Sequence, residues 1–290
     1  MRYVLSSGGK RLRSVFTLLA CEAVGGRTRD ALDAAVAMEI LHNFTLVHDD
    51  VMDHAELRRN RPTVHTRWDN NIAILAGDQL AAYAYQSLLK TADHKHSKIL
   101  PVFTGAFIDV CEGQGFDKEF ETRDNVRLKE YVMMIEKKTA AIIAASTEIG
   151  AIIGGGSAQQ VRALRNFGLH LGRAFQINDD LLDIAGDPEE FGKTVGGDII
   201  EGKKTFLLLT AIGQTKGRDR LFLRSLSPAN GMRRVDRIQS IYRQTGTLSV
   251  ARKTITRHTR SARNAIKKLP ANRGTAMLGW LADQLVERIS

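Results

Sequence analysis

The chain is short of the residues that staple, punctuate or stiffen a fold. Its 290 residues include 2 cysteines and 5 prolines, and aromatics make up 6%. Cys21 and Cys111 form no Cys-x-x-Cys motif and no Cys/His cluster of zinc-like spacing, which excludes a disulfide scaffold and a structural zinc site. So few prolines leave long helices unbroken, and so thin an aromatic supply does not furnish an all-β core. Long apolar runs are missing too. The stretch Ser14–Cys21, preceded by Lys10, Arg11 and Arg13, mimics a weak signal peptide, but Glu22 closes it at once and it is too short to span a bilayer. A reduced, cytoplasmic setting is the expectation. The last absence is local: between Arg237 and Ala282 there are ten Lys and Arg residues and no acid. Since 42 bases face 32 acids in the whole chain, the entire net charge of +10 resides there. Basicity confined in this way does not suit a general nucleic-acid binder, and no nucleic-acid partner is expected.

What is present is ordinary globular material, 43% hydrophobic and 26% charged. Apolar residues recur at three- and four-residue spacing over 14–24, 31–52, 70–92, 97–112, 126–153, 158–186 and 203–214, which predicts helices. Gly25–Gly26, Gly113–Gly115, Gly154–Gly156, Asp187–Pro188 and Gly196–Gly197 fall between these runs and read as turns or helix ends. No run alternates as a strand does. The expectation is one all-α domain over residues 1–290, a bundle of long helices.

One pentapeptide pattern occurs twice. Asp-Asp-Val-Met-Asp fills 49–53 and Asp-Asp-Leu-Leu-Asp fills 179–183, each late in an apolar helical run. Residues four apart on a helix project about 40° apart, so Asp49 and Asp53 share a face, as do Asp179 and Asp183. Like charges at this spacing repel, and near a helix C-terminus the macrodipole disfavours them further. Two such pairs set in apolar helices point to a hard divalent cation, Mg²⁺, held by oxygen ligands and shared with substrate phosphates. A solvated acidic face is the alternative reading, weakened by the repetition.

Bases follow each acid cluster. Arg58 and Arg59 come after the first; Lys193, Lys203 and Lys204 come after the second. Gly8-Gly9-Lys10-Arg11-Leu12-Arg13 leads into a helix, and Lys137-Lys138-Thr139 lies mid-chain. Arginine can fork two phosphate oxygens and lysine supplies a point charge. Acids and then bases, twice over, suit a metal-bridged diphosphate.

These residues resemble the trans-isoprenyl diphosphate synthases, the polyprenyl synthetase family. The resemblance runs through GGKRLR at 8–13, HNFTLVHDDVMDHAELRRNRPTVH at 42–65, GD at 77–78, GQ at 113–114, KTA at 138–140 and FQINDDLLDIAGDPEEFGKTVGGDIIEGKKT at 175–205. It implies long helices around a central cavity, a homodimer, and Mg²⁺-dependent head-to-tail condensation of isopentenyl diphosphate with an allylic diphosphate. It implies that Asp49 and Asp53, with Asp50 beside them, and Asp179, with Asp180 and Asp183, serve the metal. Lys10, Arg13, His42 and Arg59 match the isopentenyl diphosphate site. Arg58, Lys138, Thr139, Gln176, Lys193 and Lys203 match the allylic diphosphate site.

The resemblance also makes Phe44, five residues before Asp49, the floor of the elongation tunnel and favours geranylgeranyl diphosphate as product. Farnesyl diphosphate is the next choice, and a core role for Phe44 stays open. A terpene cyclase and a non-catalytic partner subunit are further alternatives. The family carries a helix before its GGKRLR segment, whereas seven residues precede Gly8 here, so that helix is expected to be shortened or missing. The basic stretch 249–269 reads as an amphipathic helix, either solvated or meeting an anionic membrane.

Overall fold

The computed structural model describes residues 1–185, 196–226 and 234–287, with side chains described through residue 284. The long helices fall where apolar spacing places them. In order they are α1 (Arg2–Leu5), α2 (Leu12–Ala23), α3 (Leu32–Met52), α4 (Val64–Arg67), α5 (Asn70–Leu88), α6 (Asp93–Thr122), α7 (Leu128–Ile135), α8 (Ala141–Ile153) and α9 (Ala158–Ala185). Then come α10 (Gly197–Ile200), α11 (Phe206–Gln214), α12 (Gly217–Arg224), α13 (Val235–Gln244), α14 (Thr247–Ile266) and α15 (Arg273–Glu287). Local chemistry starts several of them. The Asp69 carboxylate accepts from Ile72 N–H at 2.8 Å to cap α5, and the Thr205 hydroxyl accepts from Leu208 N–H at 3.2 Å to cap α11. Ser157 and Gln160 cap α9 reciprocally, at 3.3 and 2.8 Å.

The chain divides into two compact units. The first comprises Met1–Val110, Ala141–Gly168 and Ala265–Trp280; the second comprises Cys111–Ala140, Leu169–Asn264 and Leu281–Ser290. In the first, α3 packs against α2 and α5, and α2 also packs against α8. Small and aliphatic residues fill these seams: Ala20, Ala34, Met38, Leu41, Leu80, Ala84 and Ile149 are all fully buried. In the second, α11 packs against α7, α12 and α13. Tyr131, Ile177, Leu181, Leu207, Ile238, Tyr242 and Ile255 are buried in its core. Burial of this kind contributes roughly 25 cal/mol per Å² of apolar surface.

Three local features differ from the sequence reading. Gly113–Gly115 is not a helix end, because α6 runs unbroken through it. The predicted 126–153 helix is interrupted by a π-turn over Glu136–Ala140, which separates α7 from α8. The two observations share a cause. A Cβ on Gly113 would lie 2.2 Å from Lys138 N, so the glycine is there to admit the π-turn backbone rather than to stop a helix. Third, a short hairpin appears, with β1 (Leu57–Arg58) paired antiparallel to β2 (Arg61–Pro62). Its two-residue turn, Arg59–Asn60, has φ of 55° and 59°, the type I′ geometry that matches strand twist.

Candidate active site

The first aspartate cluster ends α3. His42, Asp49 and Asp53 are separated by seven and four residues, so they project within about 40° of one another along one face. Asp49 and Asp53 are half-buried. Asp50, about 100° round the helix, is 5% exposed and points elsewhere. Its Oδ1 accepts from Arg58 Nε at 2.8 Å and from Arg58 Nη2 at 2.6 Å. Burial raises the Asp50 pKa, and the Arg58 guanidinium only partly opposes it. Asp50 is thus an anchor for Arg58, which retains Nη1 for another acceptor.

A basic group surrounds the His42 end of the same face. Arg59, swung back by the hairpin turn, donates to the Gly8 carbonyl and, at 3.2 Å, to the Ser7 carbonyl. Arg11 donates to the carbonyls of Leu5 at 2.7 Å and Ser7 at 3.1 Å and to Glu39 at 3.3 Å. Arg13 is pushed down to about 10 by burial and by Arg59, with Glu39 opposing, and its Nε has no hydrogen-bond partner among the described residues. His42 is held well below the ordinary histidine range, first by burial and then by Arg13, Arg59, Arg58 and Arg11. Its imidazole is therefore neutral at pH 7. Four guanidiniums around one neutral imidazole and the Glu39 carboxylate leave an excess of positive charge that suits a polyanion. Lys10 lies exposed on the same loop.

On the opposite side of α3, Phe44 is 7% exposed. Its ring meets those of His48 at 4.8 Å and Phe107 at 4.9 Å, edge to face. Tyr85 continues the row, 6.3 Å from Phe107 and 4.9 Å from Phe103. Gly77 of the Gly-Asp pair gives His48 its room: a Cβ there would lie 2.2 Å from His48 Nε2. Phe107 and Tyr85 were not legible beforehand, since only the tertiary fold brings them to Phe44.

The second unit holds the other candidates. In the π-turn, Lys138 Nζ pairs with Asp117 Oδ2 at 2.5 Å and Lys137 Nζ with Glu112 Oε2 at 2.6 Å. The Thr139 hydroxyl donates to Gln176 Oε1 at 2.8 Å, and Gln176 Nε2 donates to Asp180 Oδ1 at 3.2 Å. Asp180 Oδ2 accepts from the Tyr131 hydroxyl at 2.7 Å and from Phe206 N–H at 2.8 Å. Asp180 is 4% exposed, and burial, with Asp198 adding, pushes it up to about 8. Asp179 is exposed and Asp183 half-buried. Asp183 also braces the backbone beyond it: its carboxylate accepts from Asp198 N–H at 3.2 Å and its carbonyl from Gly196 N–H at 2.8 Å. Lys203 pairs with Glu201 at 2.6 Å and approaches Asp198 at 3.8 Å. Lys193 lies outside the described residues. Asp117, Tyr131 and Asp198 escaped the sequence reading because their partners are remote in sequence.

Among the described residues no three His, Cys, Asp or Glu side chains are gathered to hold an ion by themselves. Two carboxylate pairs with hard oxygen donors still suit Mg²⁺, which takes one or two carboxylates and completes its shell with water and phosphate oxygens. The donor set fits a cation that arrives with its substrate.

Paired carboxylates with guanidiniums beside one pair and ammoniums beside the other suit ligands that carry several phosphate charges. Residues 1–245 match the polyprenyl synthetase family model, and the chain belongs to that family. A short chain isoprenyl diphosphate synthase from Methanothermobacter thermautotrophicus is 40% identical over 287 residues, covering 99% of this chain and 88% of that protein. A geranylgeranyl diphosphate synthase from Methanosarcina mazei is 44% identical over 212 residues, 72% of this chain and 65% of that protein. Among solved structures, the geranylgeranyl pyrophosphate synthetase of Pyrococcus horikoshii superposes with a TM-score of 0.94 at 36% identity, covering 99% of this chain and 88% of that one. The polyprenyl synthase of Caulobacter crescentus, solved with calcium and isoprenyl diphosphate, gives 0.89 at 32% identity, covering 100% and 88%.

Proposed function

We propose that the protein is a Mg²⁺-dependent prenyltransferase that joins isopentenyl diphosphate head-to-tail to an allylic diphosphate, with geranylgeranyl diphosphate as the favoured product. The observation that carries this is the single face of α3. It bears a carboxylate pair at one end and, about 10 Å away, a neutral imidazole ringed by guanidiniums. A cation-dependent diphosphate and a directly bound diphosphate are both provided for. The relatives' names support the same activity and the same product class.

In this reading Lys10, Arg13, His42 and Arg59 seat isopentenyl diphosphate. Arg58, Lys138, Thr139, Gln176, Lys193 and Lys203 seat the allylic diphosphate. Asp49 and Asp53, with Asp179 and Asp183, would hold Mg²⁺. The metal supplies charge neutralisation on the departing diphosphate. Arg58 is aimed by Asp50, and Lys138 neutralises oxygens as the C–O bond lengthens. Thr139 donates its hydroxyl hydrogen bond to Gln176, so its oxygen lone pairs are free to stabilise the allylic cation. The isopentenyl double bond attacks that cation, and a proton then passes to the departed diphosphate, which restores the alkene. Phe44, backed by Phe107, ends the space for the growing chain.

The two units act as one functional domain, a reading supported by a family match that spans segments of both. A homodimer is supported by Ile72, Leu75 and Tyr83, which are 44%, 59% and 47% exposed and line one face of α5. No helix among the described residues is long and apolar enough to cross a membrane.

The test is incubation with Mg²⁺, isopentenyl diphosphate and, separately, dimethylallyl, geranyl or farnesyl diphosphate, with product lengths read by mass spectrometry. Twenty-carbon product is expected. Arrest at fifteen carbons would reassign the product to farnesyl diphosphate. A cyclic product formed without isopentenyl diphosphate would replace the reading with a cyclase.

A further inference from the structure

The acid-free stretch of the sequence becomes a surface. Along α14, Ala251, Ile255, Thr259 and Ala262 are buried on one side. Arg252, Lys253, Arg257 and Arg260 are exposed on the other. With Ser249, Thr256, Ser261 and Asn264 they border a shallow concavity of about 400 Å³. Among the described residues no carboxylate lies within ion-pair distance of these four cations. The nearby Arg263 differs, since it is paired with Asp283. Four cations on one helical face, with only hydroxyls and an amide between them, leave a strong uncompensated field.

We propose that this face of α14 is a docking surface for the anionic headgroups of a lipid bilayer. Charge complementarity is the first argument: a helix about 30 Å long laid flat on a membrane brings all four cations within a Debye length of it. The second is the absence of stacking residues. From Arg243 to Gly279 there is no Phe, Tyr or Trp, so the face lacks the platforms on which single-stranded nucleic acid is held. The third rests on the proposed function. A twenty-carbon diphosphate is itself an anionic amphiphile that partitions into bilayers, and release beside one delivers it to whatever consumes it. The exposed side of α14 has no large apolar residue, so docking is electrostatic, without insertion.

The experiment is co-sedimentation of the full-length protein with vesicles of equal phosphatidylglycerol and phosphatidylcholine, and with phosphatidylcholine alone. No substrate is present, so a failure of the proposed activity leaves this result untouched. Binding to the anionic vesicles alone, abolished by about 0.5 M salt, is expected. The fourfold reversal R252E/K253E/R257E/R260E is expected to weaken binding at least about a hundredfold. The charge-keeping R252K/R257K/R260K variant is expected to bind as the native chain does. Should the reversal fail to fold by circular dichroism, the neutralised R252Q/K253Q/R257Q/R260Q replaces it, with a smaller loss of the same sign. No vesicle binding by the native chain, equal binding to neutral vesicles, or unchanged binding by the reversed or neutralised chain overturns the proposal. So does tighter binding to duplex DNA than to anionic vesicles.

Discussion

The two aspartate clusters share a spacing and differ in how they treat their second acid. Asp50 and Asp180 are both almost fully buried. Asp50 meets a charged partner, Arg58, whereas Asp180 meets the Tyr131 hydroxyl, the Gln176 amide and the Phe206 N–H. The flanking acids are less buried in both clusters. The shared lesson follows from the helix. Positions one and five fall about 40° apart, while position two falls about 100° away and turns inward. Under the proposed function the motif is therefore two ligands and one anchor, repeated. The difference lies in what the anchor secures: a partly exposed guanidinium in one case, the hydroxyl and amides of a buried network in the other.

The sharpest break of this comparison is to remove a ligand and an anchor from each cluster. Asp49→Ala and Asp179→Ala are each expected to lower kcat by about a thousandfold, because charge on the leaving diphosphate goes unneutralised. Melting temperature should hardly move. Steady-state kinetics beside thermal unfolding checks both, and near-native turnover by either variant would sink its assignment as a ligand.

The anchors should show the reverse balance. Asp180→Ala leaves three donors unmet in a dry core and is expected to cost about 2–3 kcal/mol of stability. Asp50→Ala is expected to cost about 1 kcal/mol, because Arg58 is 40% exposed and regains water. Urea titration of the two variants decides. Equal losses would mean that the two anchors are not different in kind.

Phe44 tests whether the back of α3 serves specificity as its front serves charge. Phe44→Ala opens space beside Phe107 and is expected to shift products beyond twenty carbons. Phe107→Ala should do the same more weakly, since Tyr85 still backs the gap. Mass spectrometry of products reads both, and an unchanged length distribution would make the aromatic row core alone.

Which parts of this were legible in the sequence follows the range of the interaction. The helix α3 and the shared face of His42, Asp49 and Asp53 need only a 3.6-residue period. Its predicted bounds, 31–52, differ from Leu32–Met52 by one residue. The inward turn of Asp50 was implicit in the same period, but its partner was not. Pairings such as Lys138 with Asp117 join residues on separate helices, and no local pattern announces them. Gly113 was misread for the same reason: a glycine that stops a helix and one that admits a neighbour's backbone look alike until the neighbour is in place. The π-turn it admits has no composition of its own, and it carries Lys138 and Thr139.

The last comparison, silent at neutral pH, concerns how each unit keeps a histidine neutral. In the first unit, burial and four arginines depress His42. In the second, His258 on α14 lies with its Nδ1 3.3 Å from Nδ1 of His170 on α9, and burial, then Arg173, Arg257 and His170, bring it down to about 4. A neutral pair can share one N–H···N bond; a doubly protonated pair cannot. The unfolded chain takes up a proton at His258 near pH 6.5, and the folded chain does so only near pH 4. The unfolded state thus binds more protons across that window, so this contribution is complete above pH 6.5 and is lost as pH falls towards 4. His258→Gln keeps a hydrogen-bonding side chain and removes the titration. It is expected to flatten the slope of stability against pH between 6.5 and 4 by up to one proton's worth, leaving stability at pH 8 within about 0.5 kcal/mol of native. Urea unfolding at a series of pH values measures it. An unaltered slope would show that His258 does not carry the acid sensitivity and would remove the parallel between the units.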